Sequence, residues 1–217
     1  MVNPPMLLVF LWSWLFAGEP GAAPMPVPLP VMAEDAARAE ALELYHEVGL
    51  AGEVATEVFV KAYARVSSMA PARMLAIADM TQPSTAKRLY IIDLDRKTLM
   101  LRTWVAHGQG TGEVMARHFS NSHGSHQTSL GLYRVGAGIV SPKHGPALLL
   151  HGMDKGTNDQ ALAREVIMHG ADYVSASFIA QHGRLGRSWG CPAVSREHMA
   201  KMIELLADGG LLYVHGN

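Results

Sequence analysis

After Pro83 the chain becomes a train of short apolar runs, and their spacing narrows the available folds more than any other feature of the sequence. LYIIDL at 89–94, TLMLRTWVA at 98–106, SLGLYRV at 129–135, ALLLHG at 147–152 and REVIMHG at 164–170 are separated by stretches carrying Gly, Pro, Asn and Asp, and LLYVH at 211–215 ends the series. Runs this short, rich in β-branched, aromatic and large apolar residues, read as strands. Asp95-Arg96-Lys97 can turn the first two into a hairpin, and strands at such intervals predict a sandwich or barrel. The fold class is therefore mainly β. Helical texture is confined to three places. AEDAARAEALELYHEV at 33–48 and a segment at 54–66 predict two N-terminal helices, and Arg196 to Leu206 predicts a late one with Ser195 as N-cap and Gly209-Gly210 beyond its end.

Ahead of these helices, Met6 to Ala17 is an apolar run of 12 residues, too short to span a bilayer and of the length of a signal-peptide core. No Lys or Arg precedes Arg38, so the usual basic start is missing, and Pro24 follows the best small-residue cleavage site, Gly21-Ala22-Ala23. The expectation is an exported chain, in the periplasm or cell envelope, with residues 1–23 as signal peptide or N-terminal anchor and residues 6–17 as its membrane tether if uncleaved. Five prolines between Pro20 and Pro30 make 24–32 an extended linker. Residues 33–84 follow as a helical region and 85–217 as the main domain. Eighteen basic against 19 acidic residues lack the positive footprint of a nucleic-acid binder. The chain is expected to be monomeric.

One cysteine among 217 residues cannot form an internal disulfide. Free cysteines are commonly small buried apolar residues, and Cys191 fits that description as well as it fits a nucleophile. Its neighbours separate the two readings. His169-Gly170 is followed, after 17 residues, by Ser188-Trp189-Gly190-Cys191-Pro192. A thiol attacks carbonyl carbon as thiolate, and with an ordinary pKa near 8.5 only about 3% is ionised at neutral pH, so a base or a positive field is required. His169, ending one apolar run, can serve as that base, and a nearby helix start adds a modest pull. Gly190 lets the backbone turn sharply, so the amides of Gly190 and Cys191 can form an oxyanion hole; Pro192 has no N–H to offer. Arg184 and Arg187 can grip a substrate carboxylate, or be solvated loop charges. His151-Gly152 repeats the dipeptide and is the rival base. Eleven histidines raise the question of zinc, but neither H-E-x-x-H nor paired cysteines occur, and no metal or cofactor is expected.

His-Gly, a gap of this length and then S-x-G-C resembles the signature of the L,D-transpeptidase catalytic domain, the YkuD-like family. VAHGQGTG (105–112), FSNSHGSHQTSLGLYRV (119–135) and GRLGRSWGCPAV (183–194) are similar to blocks of its variant branch, the murein L,D-transpeptidase catalytic domain. The resemblance implies a mixed β-sandwich with a few helices, a nucleophile at Cys191, a general base at His169 and a Gly170 carbonyl that holds the imidazole in the useful tautomer. It also implies SHGSH as a polar loop over the site, with Ser188 and Trp189 contacting substrate. Many members carry Arg two residues after the cysteine, where this chain has Ala193, so Arg184 or Arg187 is the expected replacement. The implied reaction is acyl transfer on peptidoglycan stem peptides: a thioester forms on Cys191, D-alanine leaves, and an amine of a second stem completes a 3→3 cross-link. Water as acceptor would instead give an L,D-carboxypeptidase. A non-catalytic wall-binding module is the remaining alternative.

Overall fold

In the computed structural model of the protein, residues 29–67, 69 and 72–217 are described. The chain runs through helix α1 (Leu29–Val48), α2 (Thr56–Ser67), strands β1 (Met74–Asp79), β2 (Leu89–Asp93) and β3 (Thr98–Thr103), then β4 (Gly131–Ser141), β5 (Gly145–Gly152) and β6 (Ile167–Gly170). Helix α3 (Ala176–His182), β7 (Ala193–Val194), α4 (Arg196–Leu206) and β8 (Leu211–His215) complete it. The strands form one mixed sheet in the order β3-β2-β1-β8-β4-β5-β6-β7. Its two edge strands are joined, because the chain leaving β3 pairs Ala106 with Ala193 of β7 through N–H···O bonds of 2.8 and 3.3 Å. The sheet therefore nearly closes on itself, which removes most of its exposed edge.

β1 is the strand missing from the sequence reading, which assigns 33–84 to helices. It lies inside the sheet, parallel to β8 and antiparallel to β2, and all six of its residues are buried. Burial on both faces explains why MLAIAD shows no alternation of apolar and polar residues. The two faces of β1 and β2 enter different cores. Met74, Ala76, Ala78, Leu89 and Ile91 join α4 through Met199, Met202 and Leu206. Leu75, Ile77, Tyr90 and Ile92 meet α1 and α2 through Leu44, Tyr45, Phe59 and Val66. At about 1.5–3 kcal/mol for each large apolar side chain, this burial is what docks two helices on the sheet.

Boundaries differ from expectation where local chemistry permits. Helix α1 begins at Leu29, inside the expected 24–32 linker, since Pro30 falls in its first turn, where a missing N–H breaks no helical bond. The apolar run at 6–17, the cleavage site at Ala23 and linker residues 24–28 lie outside the described residues. Among the described residues, no helix is long and apolar enough to cross a membrane. Ser195 stands at the N-cap of α4, but its hydroxyl meets His198 Nδ1 at 2.8 Å and caps no backbone amide. In the β2–β3 turn, Arg96 N–H donates to Asp93 Oδ1 at 2.9 Å and Lys97 takes the left-handed conformation, as the predicted hairpin requires.

Candidate active site

β6 and β7 run parallel, with His169 opposite Ala193 and Gly170 opposite Val194. Cys191 precedes that register pair by two residues, and His169 and Cys191 open on one cavity of about 800 Å³. The tip of the β4–β5 hairpin, carrying Lys143 and His144, forms one wall. The segment at 164–167 forms another, and Ser188-Trp189 a third.

The loop that carries Cys191 is held from several sides. Gly190 has φ +122°, a region side chains avoid, and a Cβ there would sit 2.9 Å from Gln127 O and 3.3 Å from Arg164 Nη2. The Ser188 hydroxyl donates to Cys191 O at 2.5 Å and accepts from Gly190 N–H at 3.1 Å. Thr128 Oγ1 donates to Gly190 O at 3.3 Å while accepting from Gly108 N–H at 3.0 Å. Gln109 N–H to Ser188 O (2.8 Å) and Ser188 N–H to His107 O (3.0 Å) stitch the loop to the segment after β3.

The same bonds divide the expected oxyanion hole. The Gly190 amide is already engaged by Ser188, so the free donor is the Cys191 N–H, which has no acceptor among the described residues. The expected pull of a helix start on the thiol is weak, since β7 separates Cys191 from α4 and helix-end effects fade within a turn.

His169 is buried, and its Nδ1 lies 3.2 Å from Gly170 O. Only the Nδ1–H tautomer satisfies that contact, which leaves the Nε2 lone pair for another proton. Burial pushes the imidazole down to about 4, and the nearby His144, Arg196 and Lys143 push the same way. The His144 ring stacks on it, centroids 3.8 Å apart and planes 26° off parallel. Burial also pushes the Cys191 thiol up, opposed by the Ile167 backbone, Arg164 and Lys143. At neutral pH the pair rests as thiol and imidazole, the thiol donating to Glu165 O at 3.8 Å. Glu165 presents that carbonyl from a left-handed conformation, φ 56°.

A family model for the L,D-transpeptidase catalytic domain matches residues 51–215. The chain belongs to this family. The match covers residues 85–215 of the expected 85–217 domain and extends back through β1 and α2. A search of curated proteins gives no match. Among solved structures, an L,D-transpeptidase from Mycobacterium smegmatis shares 13% identity at a TM-score of 0.41, with 67% of this chain and 59% of that chain covered. The helical cell shape determining protein Pgp2 (K307A mutant) from Campylobacter jejuni shares 14% at 0.45, over 67% and 48%. An L,D-transpeptidase from Stackebrandtia nassauensis shares 14% at 0.41, over 82% and 77%. The chain thus spans about half to three fifths of the length of the first two.

In this L,D-transpeptidase domain the two arginines expected at the substrate share one carboxylate. Arg184 Nε and Arg187 Nη1 both bind Glu113, at 3.0 and 2.7 Å. Arg187 Nη1 also donates to Gly112 O at 3.2 Å; it still lines the cavity, whereas Arg184 does not. Trp189 does line it and is 64% exposed. Its ring stacks on His126 of the SHGSH loop at 5.1 Å, and Lys143 Nζ sits 4.2 Å over it. The rival base, His151, lies on β5 opposite Arg134, with its ring against Gly136 and away from the cavity. His107 is buried between Arg88 and Gly112 O. Among the described residues, no group of three or more His, Cys, Asp or Glu could hold a metal. Lys143, Arg164 and Thr128 carry no signal in the sequence, where nothing about a lysine in a turn or an arginine before an apolar run marks it as facing a cysteine.

Proposed function

We propose that this domain is a cysteine acyl-transferase acting on peptidoglycan stem peptides outside the cytoplasm, an L,D-transpeptidase with Cys191 as nucleophile and His169 as base. The observation that carries the reading is that His169 and Cys191 line one cavity while Gly170 O occupies Nδ1, leaving Nε2 for the thiol proton. A neutral imidazole can accept that proton, and a hydrogen-bonded backbone carbonyl keeps its tautomer and ring orientation. Sγ attacks the carbonyl between the third residue of the stem, a diamino acid, and its terminal D-alanine. The C–N bond breaks, the imidazolium returns the proton to the leaving amine, and a thioester remains. Developing negative charge on the carbonyl oxygen meets the Cys191 N–H. An amine from a second stem then attacks the thioester carbonyl, the C–S bond breaks, and the amine's proton returns through His169 to the Cys191 thiolate, giving a 3→3 cross-link. Trp189 and Lys143 offer a face and a charge to a carboxylate-bearing peptide.

Intact-mass measurement after incubation with a carbapenem tests the nucleophile. One adduct per chain, lost in Cys191→Ala, is the expected result, and a chain of unchanged mass overturns the reading. Digestion of muropeptides with wild type and Cys191→Ala then names the acceptor. New 3→3 dimers are expected; tripeptide monomers alone would make water the acceptor.

A further inference from the structure

Arg164 is a half-buried guanidinium with no acidic partner among the described residues. All four of its hydrogen bonds go to neutral acceptors. Nη1 donates to Ser120 O and Ser129 Oγ at 2.8 and 2.6 Å, and Nη2 to Gln127 O and Ser125 Oγ at 2.6 and 3.4 Å. Taking a charge out of water without a counter-ion costs free energy, so buried cations are normally paired. Here the group lines the cavity beside Cys191, with Nη2 close against Gly190. The anion that would complete it is the one the site must generate. We propose that Arg164 is a positioning residue whose unpaired charge stabilises the Cys191 thiolate while its fork clamps the 120–129 loop behind Gly190.

Among the other charged and titratable groups around the thiol, Lys143 also favours the thiolate, but none of them combines a charge free of carboxylates with a hydrogen-bonded seat behind Gly190. From the β4–β5 hairpin come Lys143, exposed and drawn onto Trp189, and His144, held below its ordinary value by burial. From β6 and the segment after it come His169, kept neutral, and Tyr173, pushed up by burial. Arg187 shares the Glu113 carboxylate with Arg184 and donates to Gly112 O, Arg196 is paired with Asp172, and Glu165 is an exposed carboxylate on the same cavity. Both the charge and the proximity to Cys191 thus converge on Arg164.

The test is the pH dependence of Cys191 alkylation by iodoacetamide in the full chain, followed by intact mass. The chain has one cysteine, so the signal is unambiguous. Arg164→Gln should move the inflection up by about one pH unit and slow labelling at pH 7 about tenfold, the size of effect a lone opposite charge has on a pKa. Arg164→Lys, which keeps the charge and loses the fork, should stay close to wild type. A Gln profile that superimposes on wild type overturns the proposal, as does a Lys variant displaced as far as Gln. Should Arg164→Gln lack the cooperative melting of the wild type, Lys143→Ala answers the same question. It should react faster with iodoacetate, relative to iodoacetamide, than a cysteine in an unfolded peptide does, and added salt should remove the difference. Equal ratios at every salt concentration overturn the idea. The inference builds on the transpeptidase reading, but alkylation needs no peptidoglycan. A shifted profile in a chain that makes no carbapenem adduct would sink that reading and leave the role of Arg164 standing.

Discussion

Replacing Ser188 by alanine removes one oxygen that holds both ends of the turn bearing Cys191. That oxygen donates to Cys191 O at 2.5 Å and accepts from Gly190 N–H at 3.1 Å, and Ser188 is 6% exposed. Each bond contributes about 1 kcal/mol net, and a buried backbone group left without a partner costs about 1–3 kcal/mol. Allowing for water reaching the Cys191 side of the loop, the loss should be about 2–3 kcal/mol. At roughly 2–4 °C per kcal/mol for a chain of this size, Tm should fall by about 5–10 °C in differential scanning calorimetry. The same change loosens the backbone that aims Sγ, so carbapenem acylation of Cys191 should slow by about tenfold or more. Ser188→Thr keeps the hydroxyl and should recover most of both losses. An alanine variant that melts within about 1 °C of wild type and is acylated at the wild-type rate would show that the hydroxyl holds nothing, and the account of the loop would be wrong.

Three further outcomes follow from the same geometry. Gly190→Ala should cost about 1–3 kcal/mol from its backbone conformation alone, and the contact with Gln127 O adds to it; urea unfolding measures the loss, and a midpoint equal to wild type would refute the strain. His107 and His169 both lie near 4 against an ordinary 6.5, so below about 6.5 the unfolded chain takes up protons that the folded chain does not. Stability should be fully present above that pH and fall toward pH 4 by about 1.4 kcal/mol per pH unit for each histidine. Urea midpoints that stay flat from pH 7 to 5 would mean that neither ring is buried neutral. Arg184→Ala should leave KM for a stem tetrapeptide unchanged and Lys143→Ala should raise it, because Arg184 lies outside the cavity and is bound to Glu113. Steady-state release of D-alanine reads both, and the reverse pattern would restore the arginine as the carboxylate clamp.

Much of the fold is legible because it is coded locally. Arg196–Leu206 appears with the expected bounds, since a run of helix formers between a serine and two glycines needs no distant partner to be recognised. The β2–β3 hairpin is legible for the same reason: its turn residues and its apolar, β-branched and aromatic flanks lie within one short stretch. REVIMHG is less so. Its first two residues close a turn that ends in the left-handed Glu165, and only Ile167–His169 pair with β5. β1 was hidden because a strand buried on both faces loses the two-residue alternation that identifies strands from sequence.

By itself the sequence determined the nucleophile candidate and its base candidate, since one cysteine after a turn glycine and one His-Gly at a set spacing are facts of composition and order. It also determined the family. Tertiary structure decided what surrounds them. Arg187 meets Glu113 across 74 positions, Arg164 meets Ser120 across 44, and His144 reaches His169 only because β5 and β6 are paired. Charge partners, ring stacks and amide engagement depend on contacts between distant segments. No local pattern encodes which of several arginines will be neutralised and which will face a thiol.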